Sequence, residues 1–287
     1  MKKLNVKKRN FEIAEKPKSE HVKTHLSGDL DLLYCDKVIV SVRKYRNEQR
    51  LARLHQASSK IKYPTGAKRT NGLPVKNRSF GFTTRNVIRG DYCSAASLAR
   101  ESPEVHSELC DFAAEIAGVY SECLPSAFER HAIRAINRIA SEWNLGTDQD
   151  VFTSGNANRN NAIAYHYDTG NIKGACSAMI VLRNNVTGGE LILPEYDVGI
   201  YLDDGDCLFF DGQGVLHGVE PLVIGHGGYR ISLVYYTLDQ MWKCLTGTQE
   251  IERIKKEKTE REQAISGKVG YRGGKPEFRK RRDLPNK

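Results

Sequence analysis

Residues 175–236 decide the fold, and they read ACSAMIVLRNNVTGGELILPEYDVGIYLDDGDCLFFDGQGVLHGVEPLVIGHGGYRISLVYY. Apolar runs of four to eight residues alternate there with turns rich in Gly, Asp and Asn, a pattern typical of strands. The runs are 175–182, 190–194, 199–202, 207–210 and 229–236. Many short strands joined by glycine-rich turns predict a double-sheet jelly roll.

Two helices are predicted upstream of these strands. The first begins at Pro103, a residue suited to the first helical position, and its apolar side chains recur at steps of three and four residues. The second is predicted from Pro125 to Gly146. Its buried face would hold Phe128, Ala132, Ile136, Ile139 and Trp143. The predicted fold class is therefore α+β, mainly β: a double-stranded β-helix (jelly-roll) core with buttressing helices and basic terminal extensions.

His166, Asp168 and His217 form a candidate metal-binding set on these strands. Two imidazoles and one carboxylate suit an Fe(II) ion and leave three of its coordination positions open. Each piece alone is weak, because eight histidines make a chance His-x-Asp unsurprising and a lone His217 is more often a satisfied, half-buried residue. The order and spacing of the set along predicted strands favour the metal.

Arg230 and Ser232 lie two residues apart on the last predicted strand, so they share one face of it. Arg230 alone would most simply be a surface salt-bridge partner. Beside a metal set, its planar fork and the Ser232 hydroxyl suit the distal carboxylate of 2-oxoglutarate. The combination predicts an oxygenase that uses Fe(II), 2-oxoglutarate and O2.

Residues 152–242 resemble the TET/JBP dioxygenases, which oxidise the methyl group of 5-methylpyrimidines in DNA. Asn171 follows Asp168 by three residues, as in that family, and 230–236 read RISLVYY, much like the end of the family's core. The resemblance implies that Arg230 and Ser232 hold 2-oxoglutarate and that Tyr236 stacks on a flipped base. It also implies that hydrogen is abstracted from the C5-methyl group at the iron.

One position departs from the family pattern. Animal-type members carry a base-contacting His two residues past the stacking aromatic, whereas this chain has Leu238 there. A Leu makes no hydrogen bond to a base, so Asn171 is the best remaining reader, and Asp239 is a second candidate that would accept from an exocyclic amine. The sequence therefore leaves open whether the target base is cytosine or thymine.

The resemblance implies oxidation of 5-methylcytosine in DNA to 5-hydroxymethylcytosine or to a further oxidised form. The alternatives are hydroxylation of the thymine 5-methyl group, repair of alkylated bases, and prolyl or lysyl hydroxylation of a protein on the same fold. A catalytically silent DNA-binding module is a third class, and the complete set of candidate ligands disfavours it.

Charge is distributed unevenly along the chain. Residues 1–90 carry a net charge of +15, residues 91–250 of −13 and residues 251–287 of +7, within a total of +9. Basic arms around an acidic core suit a polyanion, so the predicted partner is DNA that contains a 5-methylpyrimidine. The loop 60–78 and the cluster Arg279-Lys280-Arg281-Arg282 are candidate phosphate contacts, although basic tails are more often merely solvated.

Three regions are predicted on this basis. Residues 1–78 form a basic, partly ordered N-terminal extension. Residues 79–247 form the oxygenase domain, with the jelly-roll core at about 150–245. Residues 248–287 form a charged helix and a basic tail.

Seven scattered cysteines, without a Cys-x-x-Cys pair, predict reduced thiols rather than a disulfide framework or a structural zinc. No run of eighteen apolar residues occurs, so no membrane association is expected. No protein partner is predicted. The expected location is intracellular: the nucleus or, for a phage or bacterial source, the host cytoplasm.

Overall fold

The computed structural model describes residues 1–11, 16–66, 75–84, 93–136, 139–147 and 150–268, except the side chains of residues 257, 261 and 264–268. The chain divides into two compact units, Met1–Cys244 and Leu245–Lys287. Both sheets belong to the first unit.

Strands within the described residues form two sheets. In chain order they are β1 Lys2–Asn5, β2 Thr24–Ser27, β3 Leu30–Tyr34, β4 Lys37–Lys44, β5 Asn77–Thr84, β6 Cys93–Ala95, β7 Ser154–Arg159, β8 Ile163–His166, β9 Ser177–Gly188, β10 Leu191–Leu193, β11 Val198–Tyr201, β12 Asp206–Phe210, β13 His217–Val219 and β14 Leu222–Tyr236. The larger sheet has the order β1-β3-β4-β12-β9-β14-β7-β5-β6, and the smaller has the order β2-β11-β10-β13-β8.

The two sheets face each other across an apolar core. Val42 and Val181 from the larger sheet pack in one cluster with Leu191 and Ile200 from the smaller sheet, and all four are almost fully buried. Successive side chains of a strand point to opposite faces, so alternate residues are available for this core. The predicted double-sheet jelly roll is confirmed.

Helices cover the outer face of the larger sheet. Their bounds are α1 Glu48–Ser59, α2 Leu98–Glu101, α3 Pro103–Cys123 and α4 Pro125–Ile136. The stripe of α3 that contains Leu109, Phe112 and Ile116 packs in one cluster with Phe209 and Leu233 of the sheet. The predicted start of a helix at Pro103 and its buttressing role are therefore confirmed.

The second predicted helix is shorter than expected. Helix α4 ends at Ile136, whose side chain is exposed rather than buried, so the prediction of a helix up to Gly146 was wrong. Ile139 and Trp143 are buried as predicted, but they lie beyond the helix and pack with Ile172 and Met241. These two apolar side chains are buried by an irregular segment, so their helical spacing in the sequence does not indicate a helix.

The N-terminal region supplies four strands. Strand β1 pairs in parallel with β3, and β2 pairs in parallel with β11 of the smaller sheet. Strands β3 and β4 continue the larger sheet through the β4–β12 pair. The domain boundary expected after residue 78 falls inside β5, and the N-terminal segment lies in the same compact unit as the core.

A disulfide joins Cys93 and Cys244, with their Cα atoms 5.6 Å apart. The expectation that all seven cysteines are thiols was therefore wrong for these two. The pair could not be predicted from spacing, because 151 residues separate the two cysteines and neither belongs to a recognisable spacing motif.

Breaking this disulfide should destabilise the first unit. A crosslink that closes so long a loop restricts the unfolded chain, so we expect Cys93→Ser to lower the free energy of unfolding by about 2–4 kcal/mol. Denaturant unfolding with and without reductant measures the effect, and the exposed Cys35 provides the control variant Cys35→Ser. Equal stability of oxidised and reduced protein would contradict the prediction.

The second unit contains α5, Gly247–Lys268. Thr246 and Gln249 cap its first turn reciprocally: each side chain accepts a hydrogen bond from the other residue's backbone N–H. The charged helix predicted from residue 248 is thus present. The basic cluster at 279–282 and much of the candidate loop 60–78 lie outside the described residues. Among the described helices, none combines the length and the apolar character that a membrane crossing requires.

Candidate functional site

His166, Asp168 and His217 meet on the inner side of the smaller sheet. His166 ends β8 and His217 begins β13, and the two residues are paired across these strands. The Asp168 Oδ1 atom lies 3.5 Å from His166 Nε2 and 3.8 Å from His217 Nε2. All three candidate ligand atoms fall within 4.8 Å of one another, so one cation can touch all of them.

Hydrogen bonds orient both imidazoles for metal binding. His166 Nδ1 lies 2.9 Å from the Ala164 carbonyl oxygen, and His217 Nδ1 lies 2.9 Å from the Val215 carbonyl oxygen. A carbonyl only accepts, so each Nδ1 must carry the proton and donate. In a neutral ring, Nε2 then keeps its lone pair and faces the cluster, which is the tautomer that a metal requires.

A turn from the larger sheet supports the carboxylate. The Asp168 backbone N–H donates to the Gly212 carbonyl at 2.8 Å. A Cβ atom added at Gly212 would overlap Asp168 Oδ2, so the close approach requires glycine. The glycine therefore lets the turn hold Asp168 in place beside the two histidines.

The Gly212→Ala substitution should displace the Asp168 carboxylate and weaken iron binding. We expect a loss of affinity of about 10- to 100-fold, the range found when residues that orient metal ligands are lost. Titration of Fe(II) into the protein without oxygen measures it. Gly214→Ala in the same turn is the control, because its added Cβ would meet Asp211 at 3.2 Å and not Asp168. Equal affinities of the two variants would contradict this role of Gly212.

Arg230 is a buried cation with unfilled hydrogen-bond donors. Its side chain is only 3% exposed, and neither Nε nor Nη2 has a hydrogen-bond partner among the residues that the structure describes. Burial, with the neighbouring Arg183 guanidinium, lowers the pKa of Arg230 to about 10, which leaves it charged at neutral pH. A buried guanidinium in this condition fits an anion with two coplanar oxygens.

Neighbouring residues shape this anion site. Arg183 does not compete for the anion, because its guanidinium donates to the backbone carbonyls of Leu202, Val186 and Gly188. Ser232 is buried, and its side chain lines the same cavity as that of Arg230. The residues present therefore fit the distal carboxylate of 2-oxoglutarate.

A cavity of about 290 Å³ between the sheets connects the metal cluster to the anion site. Its walls include seven of the eight predicted site residues: His166, Asp168, Asn171, His217, Arg230, Ser232 and Tyr236. Asp239 is not among the lining residues. The cavity thus brings together every predicted metal and co-substrate residue.

The predicted base-contacting residues have structural hydrogen bonds. The Asn171 side-chain carbonyl accepts from the Thr237 backbone N–H, and its amide donates to Ser177 Oγ, each at 2.9 Å. Tyr236 accepts a hydrogen bond from the Asn156 amide at 3.3 Å, and burial raises the pKa of its phenol to about 12. Asn171 therefore joins the loop after Asp168 to the end of β14.

Three further amide side chains line the cavity and were not predicted from the sequence: Asn77, Asn156 and Asn158. Asn156 and Asn158 lie two residues apart on β7, so they share a face. The Asn-Ala-Asn spacing was a usable signal for that pair. Asn77 arrives from β5, and only the pairing of β5 with β7 places it beside Asn158.

A jelly roll that carries two histidines, one aspartate and a buried arginine in one cavity defines an iron- and 2-oxoglutarate-dependent oxygenase. Residues 81–239 match the Tet_JBP family, described as the oxygenase domain of the 2OGFeDO superfamily. The chain belongs to this family, as the resemblance of residues 152–242 predicted. The cofactors of the superfamily are Fe(II), 2-oxoglutarate and O2, and the side chains described above fit the first two.

Two curated relatives come from trypanosomes, and both are named bifunctional helicase and thymine dioxygenase JBP2. The Trypanosoma cruzi protein is 27% identical over 146 residues, which cover 50% of this chain and 13% of the relative. The Trypanosoma brucei brucei protein is 36% identical over 87 residues, which cover 30% of this chain and 8% of the relative. The chain thus matches about a tenth of the length of these relatives.

Among solved structures, NgTET1 in complex with 5mC DNA is similar in fold. The TM-score is 0.57 at 18% identity, and the match covers 82% of this chain and 88% of that chain. This likeness concerns the fold alone.

Proposed function

We propose that this chain oxidises the 5-methyl group of a methylpyrimidine in DNA. His166, Asp168 and His217 would hold Fe(II), and Arg230 and Ser232 would hold 2-oxoglutarate. The observation that carries the proposal is a single cavity that is lined by two oriented imidazoles and by a buried guanidinium with unfilled hydrogen-bond donors. Bound iron with 2-oxoglutarate and O2 supplies the oxidising chemistry, and the chain's residues position its reactants.

Tyr236 is the proposed platform for the target base. A base inside a duplex cannot present its methyl group to a metal in a cavity between two sheets, so it must leave the stack at a cost of a few kcal/mol. Stacking on an aromatic ring returns about 1–3 kcal/mol. The hydrogen bond from Asn156 holds the phenol at the cavity wall, where its ring can support the base.

5-Methylcytosine is the first candidate substrate, with 5-hydroxymethylcytosine as its product. The resemblance of the 230–236 segment to the core of the family motivates this choice. Thymine is the second candidate, and the two relatives named thymine dioxygenases favour it. Membership of the family favours DNA over a protein side chain as the substrate.

The fold changes the expectation for DNA contact by the N-terminal segment. Several of its cations are paired with carboxylates of the acidic middle region, such as Arg50 with Glu108 and Lys8 with Glu195. Such pairs neutralise part of the +15 charge of residues 1–90. We therefore propose that phosphate binding relies on the remaining cations and is less salt-dependent than that charge alone implies.

Nucleoside mass spectrometry tests the proposed function. The protein is incubated with Fe(II), 2-oxoglutarate and duplexes that differ only in carrying 5-methylcytosine or unmethylated cytosine, with thymine present in both. A gain of one oxygen on 5-methylcytosine or thymine, matched by succinate release, supports the proposal. Succinate release without any modified nucleoside would contradict it.

A further inference from the structure

A row of polar side chains extends from the anion site across three strands. Ser232 on β14 pairs with Asn158 on β7, which in turn pairs with Asn77 on β5. All three side chains line the cavity. Paired residues on adjacent strands are about 5 Å apart, so the two amides form a continuous edge beside the co-substrate position.

Neither amide stabilises the described part of the fold through a side-chain hydrogen bond. Asn77 and Asn158 are half-buried, and their side chains have no hydrogen-bond partner in the described part of the chain. The other amides of the cavity differ in this respect. Asn171 bridges Thr237 and Ser177, and Asn156 bridges Ser79 and Tyr236.

Their chemistry distinguishes them from the co-substrate site. A carboxylate has only acceptors, and Arg230 and Ser232 already offer it donors. An amide offers a donor and an acceptor side by side, which suits a ligand edge that also has both. The Watson–Crick edge of a pyrimidine is such an edge.

We propose that Asn158, assisted by Asn77, reads the Watson–Crick edge of the flipped pyrimidine. This inference rests on the proposed function. The Tyr236 hydroxyl lies beside Asn156, and Asn158 is two residues, about 7 Å, further along the same strand. A base stacked on the ring would therefore extend its edge inward towards Asn158, with the metal cluster on the opposite sheet.

An amide reader has a consequence for selectivity. Cytosine offers an acceptor at N3 and a donor at N4, whereas thymine offers a donor at N3 and an acceptor at O4. Rotation of an unpartnered amide by 180° exchanges its donor and acceptor. Asn158 would then match either base, so the chain should oxidise both 5-methylcytosine and thymine with little preference.

The variants Asn158→Leu and Asn77→Leu test the proposal, because leucine keeps a similar volume without hydrogen bonds. A bidentate contact to a base contributes about 5- to 150-fold in discrimination, so we expect Asn158→Leu to lower kcat/KM on methylated DNA by that factor. The KM for 2-oxoglutarate, measured from succinate release without DNA, should not change. Asn5→Leu, the same substitution at an exposed position of β1 that does not line the cavity, is the control.

Each alternative outcome overturns the proposal in its own way. A raised KM for 2-oxoglutarate in the DNA-free assay would assign the amides to the co-substrate. Unchanged turnover of both bases would leave them as solvated side chains. Wild-type protein that releases succinate but oxidises neither base would refute the proposed function, and the inference with it. Asn158→Asp, which keeps the shape and loses the N–H donor, should show an intermediate loss if Asn158→Leu fails to fold.

Discussion

Asp168→Ala is expected to abolish oxidation of DNA and to reduce succinate release by more than about 100-fold, beyond what loss of an orienting residue costs a metal site. Asp168 is the one carboxylate that lies within 4 Å of both His166 and His217 in the described part of the chain. Without it, two neutral imidazoles would have to retain a divalent cation without a compensating negative charge. Iron content after dialysis and succinate release by the same sample measure the effect.

The control for this prediction is a histidine outside the cavity. His25 lies on β2 and contacts Glu190, so His25→Ala removes a comparable contact without touching the cluster. We expect this variant to keep its iron and its activity. Asp168→Ala protein that is folded, retains iron and turns over 2-oxoglutarate would show that the metal lies elsewhere.

The site residues could be predicted where they lie close to one another in the sequence or on one strand. His166 and Asp168 are two residues apart, and Arg230, Ser232 and Tyr236 alternate on one face of β14. His217 needed only the assumption that a later strand returns beside the first, and β13 pairs with β8 as that assumption requires. Residue type and spacing were sufficient for these positions.

Other features depend on pairing between distant segments, which spacing does not reveal. Parallel pairing of β1 with β3 and of β2 with β11 turns a segment read as a basic extension into part of both sheets. The same holds for Asn77, which reaches the cavity only through the β5–β7 register. Asn171 illustrates a further limit, because residue type cannot show that both ends of its amide are already bonded.

Ion pairs within the fold neutralise part of the uneven charge of the chain. Arg43 pairs with Asp31 within the N-terminal segment, while Arg50 and Arg53 reach Glu108 of the acidic middle. The basic and acidic regions therefore neutralise each other in part. Arg230 differs from all of these, because it lines a cavity instead of contacting a carboxylate.

Arg230→Met is expected to have opposite effects on activity and on stability. Loss of a buried charged partner costs about 2–5 kcal/mol, so the KM for 2-oxoglutarate should rise about 30-fold to several thousand-fold. Without co-substrate, however, the wild-type chain carries a buried guanidinium whose Nε and Nη2 find no partner in the described segments. Its replacement by an apolar side chain should therefore raise the free energy of unfolding, by about 1–4 kcal/mol.

These opposite effects on activity and stability distinguish an Arg230 that binds the co-substrate from an Arg230 that forms a structural salt bridge. 2-Oxoglutarate should raise the Tm of the wild type and leave that of Arg230→Met unchanged, because only a state that binds the ligand is stabilised by it. Arg46→Met, at an exposed arginine that contacts Asp29, should alter neither property. If Arg230→Met instead lowers stability in the absence of 2-oxoglutarate, the guanidinium already has a partner within the protein. In that case the anion site must be sought elsewhere in the cavity.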